Sequence, residues 1–196
     1  MKVSVNGQAI DITLENEKTV GDILKSFESE MEKNDATTVK IVLDGKEIAS
    51  NEFESILGKE LTDDTTIDFG VVSKMEIISS LHVISDELAA LAEKLVNIPV
   101  LLQSGKDKVA AEIIEELATT CNNFCHTGTM AMLFPDVYDK LVINGAKLDD
   151  FFKELLPILG DFEAALKDKD TVTLGDLSEY EMVPRLQSIV DAIKAI

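Results

Sequence analysis

The apolar pattern of the chain changes its period near residue 73, and this change limits the available folds more than any other feature. Before it, apolar and polar residues alternate, as in Met1, Val3 and Val5, which is the period of a half-buried β-strand. After it, apolar residues recur at steps of three and four, the period of an amphipathic helix. The sequence therefore predicts an α+β protein with two domains, residues 1–72 and an all-α domain of residues 74–196.

The first domain predicts, in order, two strands, a helix, a strand, a short strand, a connection and a last strand. Asn6-Gly7 and Asp44-Gly45 are hairpin turn signals between apolar alternations, the first of which continues through Ile10, Ile12 and Leu14. Thr19 is a suitable N-cap for the helix. The last strand is "TTIDFGVV", with its apolar residues on one face.

This order of elements, and the stretch from "VKIVLDGKEI" through "LTDDTTIDFGVV", resembles ubiquitin, which implies a β-grasp fold for residues 1–72. Ubiquitin and the related sulfur carriers act through a free C-terminal Gly-Gly. Here the last strand runs through "VVSK" into a helix, so conjugation and sulfur-carrier chemistry are not expected. Members of that family often bind partners through an apolar patch on the outer sheet face. In this chain that face contains Ser4, Val42, Asp68 and Gly70, and only one of these is apolar.

The second domain predicts a bundle of four to five helices. Pro99 is expected to kink or end the first helix in its last turn. A second helix is predicted from about Asp107 and a last helix from Thr173, while residues 135–145 predict a short helix and residues 148–166 a largely buried one. The first helix carries a long seam of apolar residues: Ile77, Leu81, Ile84, Leu88, Leu91, Leu95, Ile98 and Leu102.

Both cysteines and one of the two histidines lie in the stretch "CNNFCHTGTM", residues 121–130. A structural zinc site needs four ligands, and this chain offers one cysteine pair, His126 and a distant His82. The cysteines are too far apart for the c-type haem signature, and neither histidine has the preceding Glu of a di-iron bundle. No metal, cofactor or redox role is therefore expected. The cysteines are instead predicted to be buried in a seam of the second helix: Ile114, Ala118, Cys121, Cys125, Gly128 and Met132.

The stretch "GDLSEYEMVPRL" contains the only arginine of the chain. Because the planar guanidinium group of Arg185 pairs well with carboxylates, Glu179, Tyr180, Glu181 and Arg185 are a candidate docking site for another chain. The alternative is structural, since Glu181 and Arg185 are spaced to form an ion pair within one helix.

The net charge of -19 limits the partners available to this chain. Phosphate backbones and anionic membrane surfaces repel such a chain, so neither nucleic acid nor a membrane is an expected partner. The N-terminus has no basic segment followed by an apolar run, and no segment approaches the length of a membrane span. A cytoplasmic protein is expected. The long seam of the first helix also permits a homodimer, although burial within its own bundle is the favoured use.

No catalytic constellation is present, so the sequence favours a non-enzymatic protein-interaction module, an adaptor or chaperone-like protein whose partner is an unidentified protein. The alternative is a small-molecule sensor with an apolar pocket inside the bundle. Pro99, Pro157 and Pro184 are expected to interrupt three helices, and interrupted helices can line cavities. The wall of such a pocket is expected to contain Cys121, Cys125, Met130 and Met132.

Overall fold

The structure of the protein, a computed structural model, describes residues 1–196 and divides into an N-terminal unit, Met1–Glu76, and a helical unit, Ile77–Ile196. A mixed five-stranded sheet lies in the N-terminal unit, and helices make up most of the helical unit. The α+β class predicted from the change of period is confirmed. No helix combines the length and the apolar character that a membrane span requires.

The sheet of the N-terminal unit has the strand order β2-β1-β5-β3-β4. Its central strand, β5, runs parallel to β1 and antiparallel to β3, and the two outer pairs are antiparallel. The elements are β1 (Lys2–Val5), β2 (Gln8–Ile10), α1 (Val20–Lys33), β3 (Ala36–Leu43), β4 (Lys46–Glu47), α2 (Phe53–Ile56) and β5 (Thr66–Ser73).

Helix α1 packs on the sheet through its apolar stripe and closes the core of the N-terminal unit. Thr19 caps the helix, as predicted, in a reciprocal capping box with Asp22. The ring of Phe27 stacks on that of Phe69, with centroids 3.9 Å apart. The buried core consists of Val3, Val20, Ile23, Leu24, Leu43, Ile67 and Phe69.

Strand β2 is shorter than its alternating pattern predicts. It ends at Ile10, and Ile12 and Leu14 are exposed. The register explains this end, because Ile10 lies opposite Val3 and β1 begins only one residue earlier, at Lys2. As an edge strand, β2 has β1 as its one neighbour. Residues beyond Ile10 extend past the start of β1 and therefore have no strand to pair with.

The helical unit contains three long helices, several short ones and a small hairpin. In chain order its elements are α3 (Lys74–Leu95), which follows β5 directly and whose first three residues fall in the N-terminal unit, α4 (Ile98–Gln103), α5 (Asp107–Ala131), α6 (Pro135–Tyr138), β6 (Val142–Ile143), β7 (Ala146–Lys147), α7 (Leu148–Lys167), α8 (Thr171–Asp176), a π-helical segment (Leu177–Met182) and α9 (Val183–Lys194).

The short helix predicted over residues 135–145 is wrong for most of that stretch. Helix α6 is one turn long, and a two-stranded hairpin, β6–β7, follows it. Asn144 and Gly145 form the turn with φ angles of 52° and 79°. Two successive positive φ angles are typical of the tight hairpin turn that Asn-Gly favours, and they cannot occur within a right-handed helix.

Prolines interrupt the helices less than expected. Pro99 lies in the first turn of α4, where its missing N–H has no helical acceptor in any case, and α3 ends before it at Leu95. Pro157 is exposed inside α7, and the helix continues past it to Lys167. The expectation that Pro157 interrupts its helix is therefore wrong.

The last helical stretch begins at Thr171, two residues before the predicted start at Thr173. Asp170 is the N-cap, and its carboxylate accepts hydrogen bonds from the backbone N–H groups of Val172 and Thr173. The Thr173 hydroxyl also donates to this carboxylate, at 2.6 Å. Carboxylate caps rank with the strongest, which explains why the helix begins earlier.

We predict opposite effects on stability for alanine at two helical glycines. A Cβ atom at Gly21 would lie 2.8 Å from the carbonyl oxygen of Leu57, whereas a Cβ atom at Gly160 meets nothing within 4 Å. Gly21→Ala should lower the free energy of unfolding by about 1–3 kcal/mol through overpacking. Gly160→Ala should raise it by up to about 1 kcal/mol through helix propensity. Urea unfolding of both variants measures this, and equal effects would contradict the close approach at Gly21.

Candidate functional site

A groove of about 940 Å³ lies on the N-terminal unit, between α1 and β3. We call it the α1–β3 groove. One wall is α1, the other is β3, and the segment from Ile48 to Leu57 closes one end. Its lining residues are Gly21, Leu24, Lys25, Glu28, Ser29, Glu32, Thr38, Val39, Lys40, Ile41, Ile48, Ala49, Ser50, Phe53 and Leu57.

Backbone contacts hold the wall formed by α1 in place. The N–H of Gly21 donates to the carbonyl of Leu57 and the N–H of Val20 to that of Lys59, both at 2.9 Å. The Lys59 ammonium group in turn lies 2.6 Å from the Asp44 carboxylate in the turn after β3. The groove is thus bounded by elements that are bonded to one another, so it is formed before any ligand arrives.

The first half of β3 has a strand partner on one side only. Strand β5 pairs with β3 from Ala36 to Leu43 except at Val39, whereas β4 pairs only with Val42 and Leu43. The register of β3 shifts between Thr38 and Lys40, so Val39 lies in a bulge, and its side chain is 44% exposed. This edge therefore presents backbone groups and an apolar side chain beside the groove.

Glu28 of α1 caps part of this edge. Its carboxylate accepts a hydrogen bond from the Thr37 hydroxyl at 2.7 Å and another from the Thr38 backbone N–H at 3.3 Å. An added strand would compete with Glu28 for the Thr38 N–H. A bulge together with an inward carboxylate is a common means of keeping an edge from pairing indiscriminately.

The charges that line the α1–β3 groove are balanced. The lining contains two basic residues, Lys25 and Lys40, and two acidic ones, Glu28 and Glu32. The Lys40 ammonium group also forms an ion pair with the Glu47 carboxylate at 2.7 Å. The apolar side chains of Val39 and Phe53 remain exposed beside these charges. A groove of this composition complements an extended, partly apolar segment better than a strongly charged ligand.

The outer sheet face has polar partners of its own. Ser4 and Val42 lie on either side of Asp68 in the sheet, and the Ser4 hydroxyl donates a hydrogen bond to the Asp68 carboxylate. The same carboxylate oxygen accepts from the Gly7 N–H at 2.9 Å. A Cβ atom at Gly70 would lie 2.7 Å from the Cβ of Lys40, which explains the glycine there. This face offers no continuous apolar patch.

The two cysteines are half-buried and lie beside the buried face of α5, not at its centre. The predicted seam is thus displaced around the helix, and Ala118 and Met132 of that seam are exposed. The larger Ile113, Leu117 and Phe124 occupy the core instead, because they bury more apolar surface. The buried residues of α5 are Ala110, Ile113, Leu117, Thr120, Phe124, Thr127, Gly128 and Ala131.

An apolar cavity of about 60 Å³ lies beside both thiols. Burial, with a smaller effect of the neighbouring Cys125, raises the pKa of Cys121 to about 11, and burial also raises the pKa of Cys125. Met130 is half-buried and Met132 is 53% exposed, and neither lines the cavity. Only two of the four residues predicted for the pocket wall, Cys121 and Cys125, therefore line this cavity. Its cavity wall is Leu88, Cys121, Phe124, Cys125, Phe152, Leu155, Leu156, Leu159 and Ile189.

The candidate docking residues at 179–185 lie at the junction between the π-helical segment and α9. Arg185 Nη1 donates to the carbonyl oxygen of Glu181 at 2.9 Å and to its carboxylate at 2.6 Å. Pro184 has no N–H for the preceding turn and would crowd its carbonyl groups, and a π turn relieves this crowding. Glu181 and Arg185 thus form the predicted pair within the helix. Glu179 and Tyr180 are exposed, Tyr180 by 65%.

No group of three or more His, Cys, Asp or Glu side chains lies close enough together to hold a metal ion.

The α1–β3 groove and the candidate docking residues at 179–185 differ in how much of each is available to a partner. The α1–β3 groove is preformed and partly apolar, whereas two of the four candidate docking residues, Glu181 and Arg185, pair with each other within their own helix. Sequence reasoning missed the groove, since neither the bulge at Val39 nor the packing of α1 against Leu57 can be recognised from local pattern.

Residues 79–192 match the model of a protein family described as a domain of unknown function, DUF8042. Because this match covers more than half of the chain, the protein belongs to that family. Residues 1–73 match a second family model, described as the TP0873 N-terminal domain.

A relative from Treponema pallidum (strain Nichols), described as an uncharacterized protein, is 27% identical to this chain over 193 residues. The match covers 98% of this chain and 96% of the relative, so the likeness extends over both units. No solved structure matches the chain.

We predict that Cys121 is unusually unreactive in the folded protein. Alkylation requires the thiolate, and a pKa of about 11 makes that form scarce at pH 8. In a Cys125→Ser variant, which keeps the burial of Cys121, iodoacetamide should label Cys121 at least tenfold more slowly than a free cysteine of ordinary pKa. Mass spectrometry measures the rate, and unfolding in urea should restore it. Labelling of the native protein at the unfolded rate would show that the thiol is not held in its cavity.

We also predict that Ser178 destabilises the protein. Its side chain in the π-helical segment is fully buried, and its Oγ atom has no hydrogen-bond partner in the protein. Ser178→Ala should raise the free energy of unfolding by about 1–2 kcal/mol, because it removes an unsatisfied buried hydroxyl. Ser188→Ala is the matched control, since the Ser188 hydroxyl donates to the Pro184 carbonyl at 2.8 Å, and it should bring no such gain. Thermal unfolding compares the two, and a less stable Ser178→Ala variant would contradict this account.

Proposed function

We propose that the protein is a non-enzymatic protein-interaction module whose N-terminal unit binds an extended segment of a partner protein in the α1–β3 groove. The observation that carries this proposal is the position of the exposed edge of β3 beside a preformed, partly apolar groove. Extended peptides commonly bind by adding a strand to such an edge while their side chains fill adjacent pockets.

We further propose that the N-terminal unit is a ubiquitin-like β-grasp domain and that the helical unit is a bundle. The support for the first is topological: the order β2-β1-β5-β3-β4, the parallel pair β1–β5 and one long helix across the sheet. A fold of this kind does not by itself define a function. Strand β5 passes directly into α3 at Lys74, so the use we assign is binding and not conjugation.

Glu28 would regulate access to the edge. A bound strand needs the Thr38 N–H, which Glu28 now accepts at 3.3 Å, and the bond is long enough to exchange at low cost. Partner segments that return good backbone hydrogen bonds would displace the carboxylate, while poorly fitting ones would not. The groove thus selects for shape and backbone pairing more than for charge.

The second candidate is a binder of small molecules. The cavity beside Cys121 and Cys125 favours it, since its lining is apolar and both thiols contribute. Its volume of about 60 Å³ is small beside the roughly 300–1,000 Å³ of most ligand pockets. The structure therefore supports peptide binding more strongly.

We also propose that the protein is cytoplasmic, because both cysteines are free thiols and the cytoplasm is a reducing environment.

The test is a selection from a displayed library of random 16-residue peptides on the immobilised full chain. We expect retained peptides with alternating apolar positions. Their affinity should fall at least tenfold for Val39→Asp and for Phe53→Asp, which place charge on the two exposed apolar side chains of the groove, and should rise for Glu28→Ala. Leu156→Asp, an equal change of charge in the helical unit, is the control and should bind normally.

Circular dichroism first establishes that each variant is folded. Retained peptides that bind both groove variants as well as they bind the unaltered chain would overturn the proposal, as would a library from which no extended peptide is retained.

A further inference from the structure

We propose that the helical unit has a second, independent docking surface, a furrow between α5 and α7 that binds a cationic amphipathic helix of a partner protein. We define this α5–α7 furrow by Ile114, Ala118, Cys121 and Cys125 on α5 and by Leu156 and Leu166 on α7. It uses the seam that the sequence predicted to be buried, which the structure leaves partly uncovered.

The two helices run antiparallel and separate along their length. At one end they are tightly packed, since a Cβ atom at Gly128 would lie 2.6 Å from Leu148 Cδ2. Phe124 and Phe152 follow, with ring centroids 5.7 Å apart. At the other end a cavity of about 390 Å³ opens between the start of α5, Leu102 of α4, Leu166 of α7 and Lys169 just beyond α7. The surface is therefore a furrow that widens from the Gly128 end.

The apolar side chains along the furrow are not fully covered by this chain. Leu156 is 65% exposed, and Cys121, Cys125 and Leu166 are half-buried. The cavity of about 60 Å³ beside the thiols is enclosed by apolar atoms, so it gives water few polar partners and suits an apolar side chain. A row of recesses along two helices is the surface that an amphipathic helix fills with residues spaced by three, four and seven positions.

The charge of the two helices selects the sign of the occupant. The charged side chains that line the wider cavity are Asp107, Glu115 and Lys169, one more acidic than basic, and Lys169 lies 3.5 Å from Asp107. Over their full lengths α5 and α7 each carry three more acidic than basic side chains. A second copy of this chain would bring another net charge of -19 to the surface, which opposes self-association. A helix with apolar residues on one face and Lys or Arg on the other complements both the floor and the rims.

The length of the furrow sets the length of the partner segment. From Ala110 to Cys125 α5 rises about 22 Å, so a helix of about 15 residues, roughly four turns, covers it. The side chain opposite Cys121 would enter the small cavity and the one opposite Ala110 the larger one.

The test uses a displayed library of 16-residue peptides built from helix-forming residues, with Leu, Phe, Ala, Lys, Arg, Glu and Gln allowed at every position, selected on the full chain at 150 mM salt, about physiological ionic strength. We expect retained peptides to carry net positive charge, with apolar residues at helical spacing. Leu156→Asp should weaken their binding at least tenfold, measured by fluorescence anisotropy. Because this change adds negative charge, a loss of affinity for cationic peptides must come from the apolar contact.

Val39→Asp is the matched control, with the same change of charge in the N-terminal unit, and should bind these peptides normally. A bound peptide should also slow the alkylation of Cys125 in a Cys121→Ser variant. Equal binding of sequence-scrambled peptides, equal binding by Leu156→Asp, or a library from which nothing is retained would overturn the proposal. A concentration-dependent dimer in sedimentation equilibrium that Leu156→Asp abolishes would overturn it too, since the furrow would then be covered by a second copy. Because the two Asp variants alter different surfaces, this proposal and that for the α1–β3 groove fail independently.

Discussion

The pairing of β5 with both β1 and β3 is the interaction on which the N-terminal unit depends. β5 is the only strand with long neighbours on both sides, and its Phe69 is fully buried against the stacked ring of Phe27. Backbone pairing with β5 holds one edge of β3 along nearly its full length, while the other edge is mostly unpaired. Since β4 covers just the end of β3 at Val42 and Leu43, the same pairing that builds the sheet also leaves the edge that forms the α1–β3 groove.

The α1–β3 groove and the α5–α7 furrow differ in the charge of the side chains around them. The lining of the α1–β3 groove contains two Lys and two Glu, so the binding that we propose there depends on backbone pairing and shape more than on charge. The α5–α7 furrow lies between two helices of net negative charge, so long-range attraction would speed the approach of the cationic segment that we propose as its partner. Salt should therefore weaken binding at the furrow more than binding at the groove.

Much of the fold follows from local signals, and the errors occur where distant packing decides. The change of period near residue 73, the turns at Asn6-Gly7 and Asp44-Gly45 and the cap at Thr19 depend on neighbouring residues, and the sequence predicts them correctly. The hairpin at Asn144-Gly145 has the same local signal as the two predicted turns, so it could have been found. The bulge at Val39 and the choice of buried face on α5 could not, because partner strands and helices determine them.

The high net charge counteracts the tendency of the exposed apolar side chains to cause aggregation. A bare strand edge at β3 and an uncovered Leu156 would each favour aggregation in a neutral protein. The bulge at Val39 and the Glu28 carboxylate protect the edge locally, and a net charge of -19 opposes close approach of identical chains everywhere. The acidity therefore disfavours contact between identical chains, which allows the two apolar surfaces that we propose for binding to stay exposed.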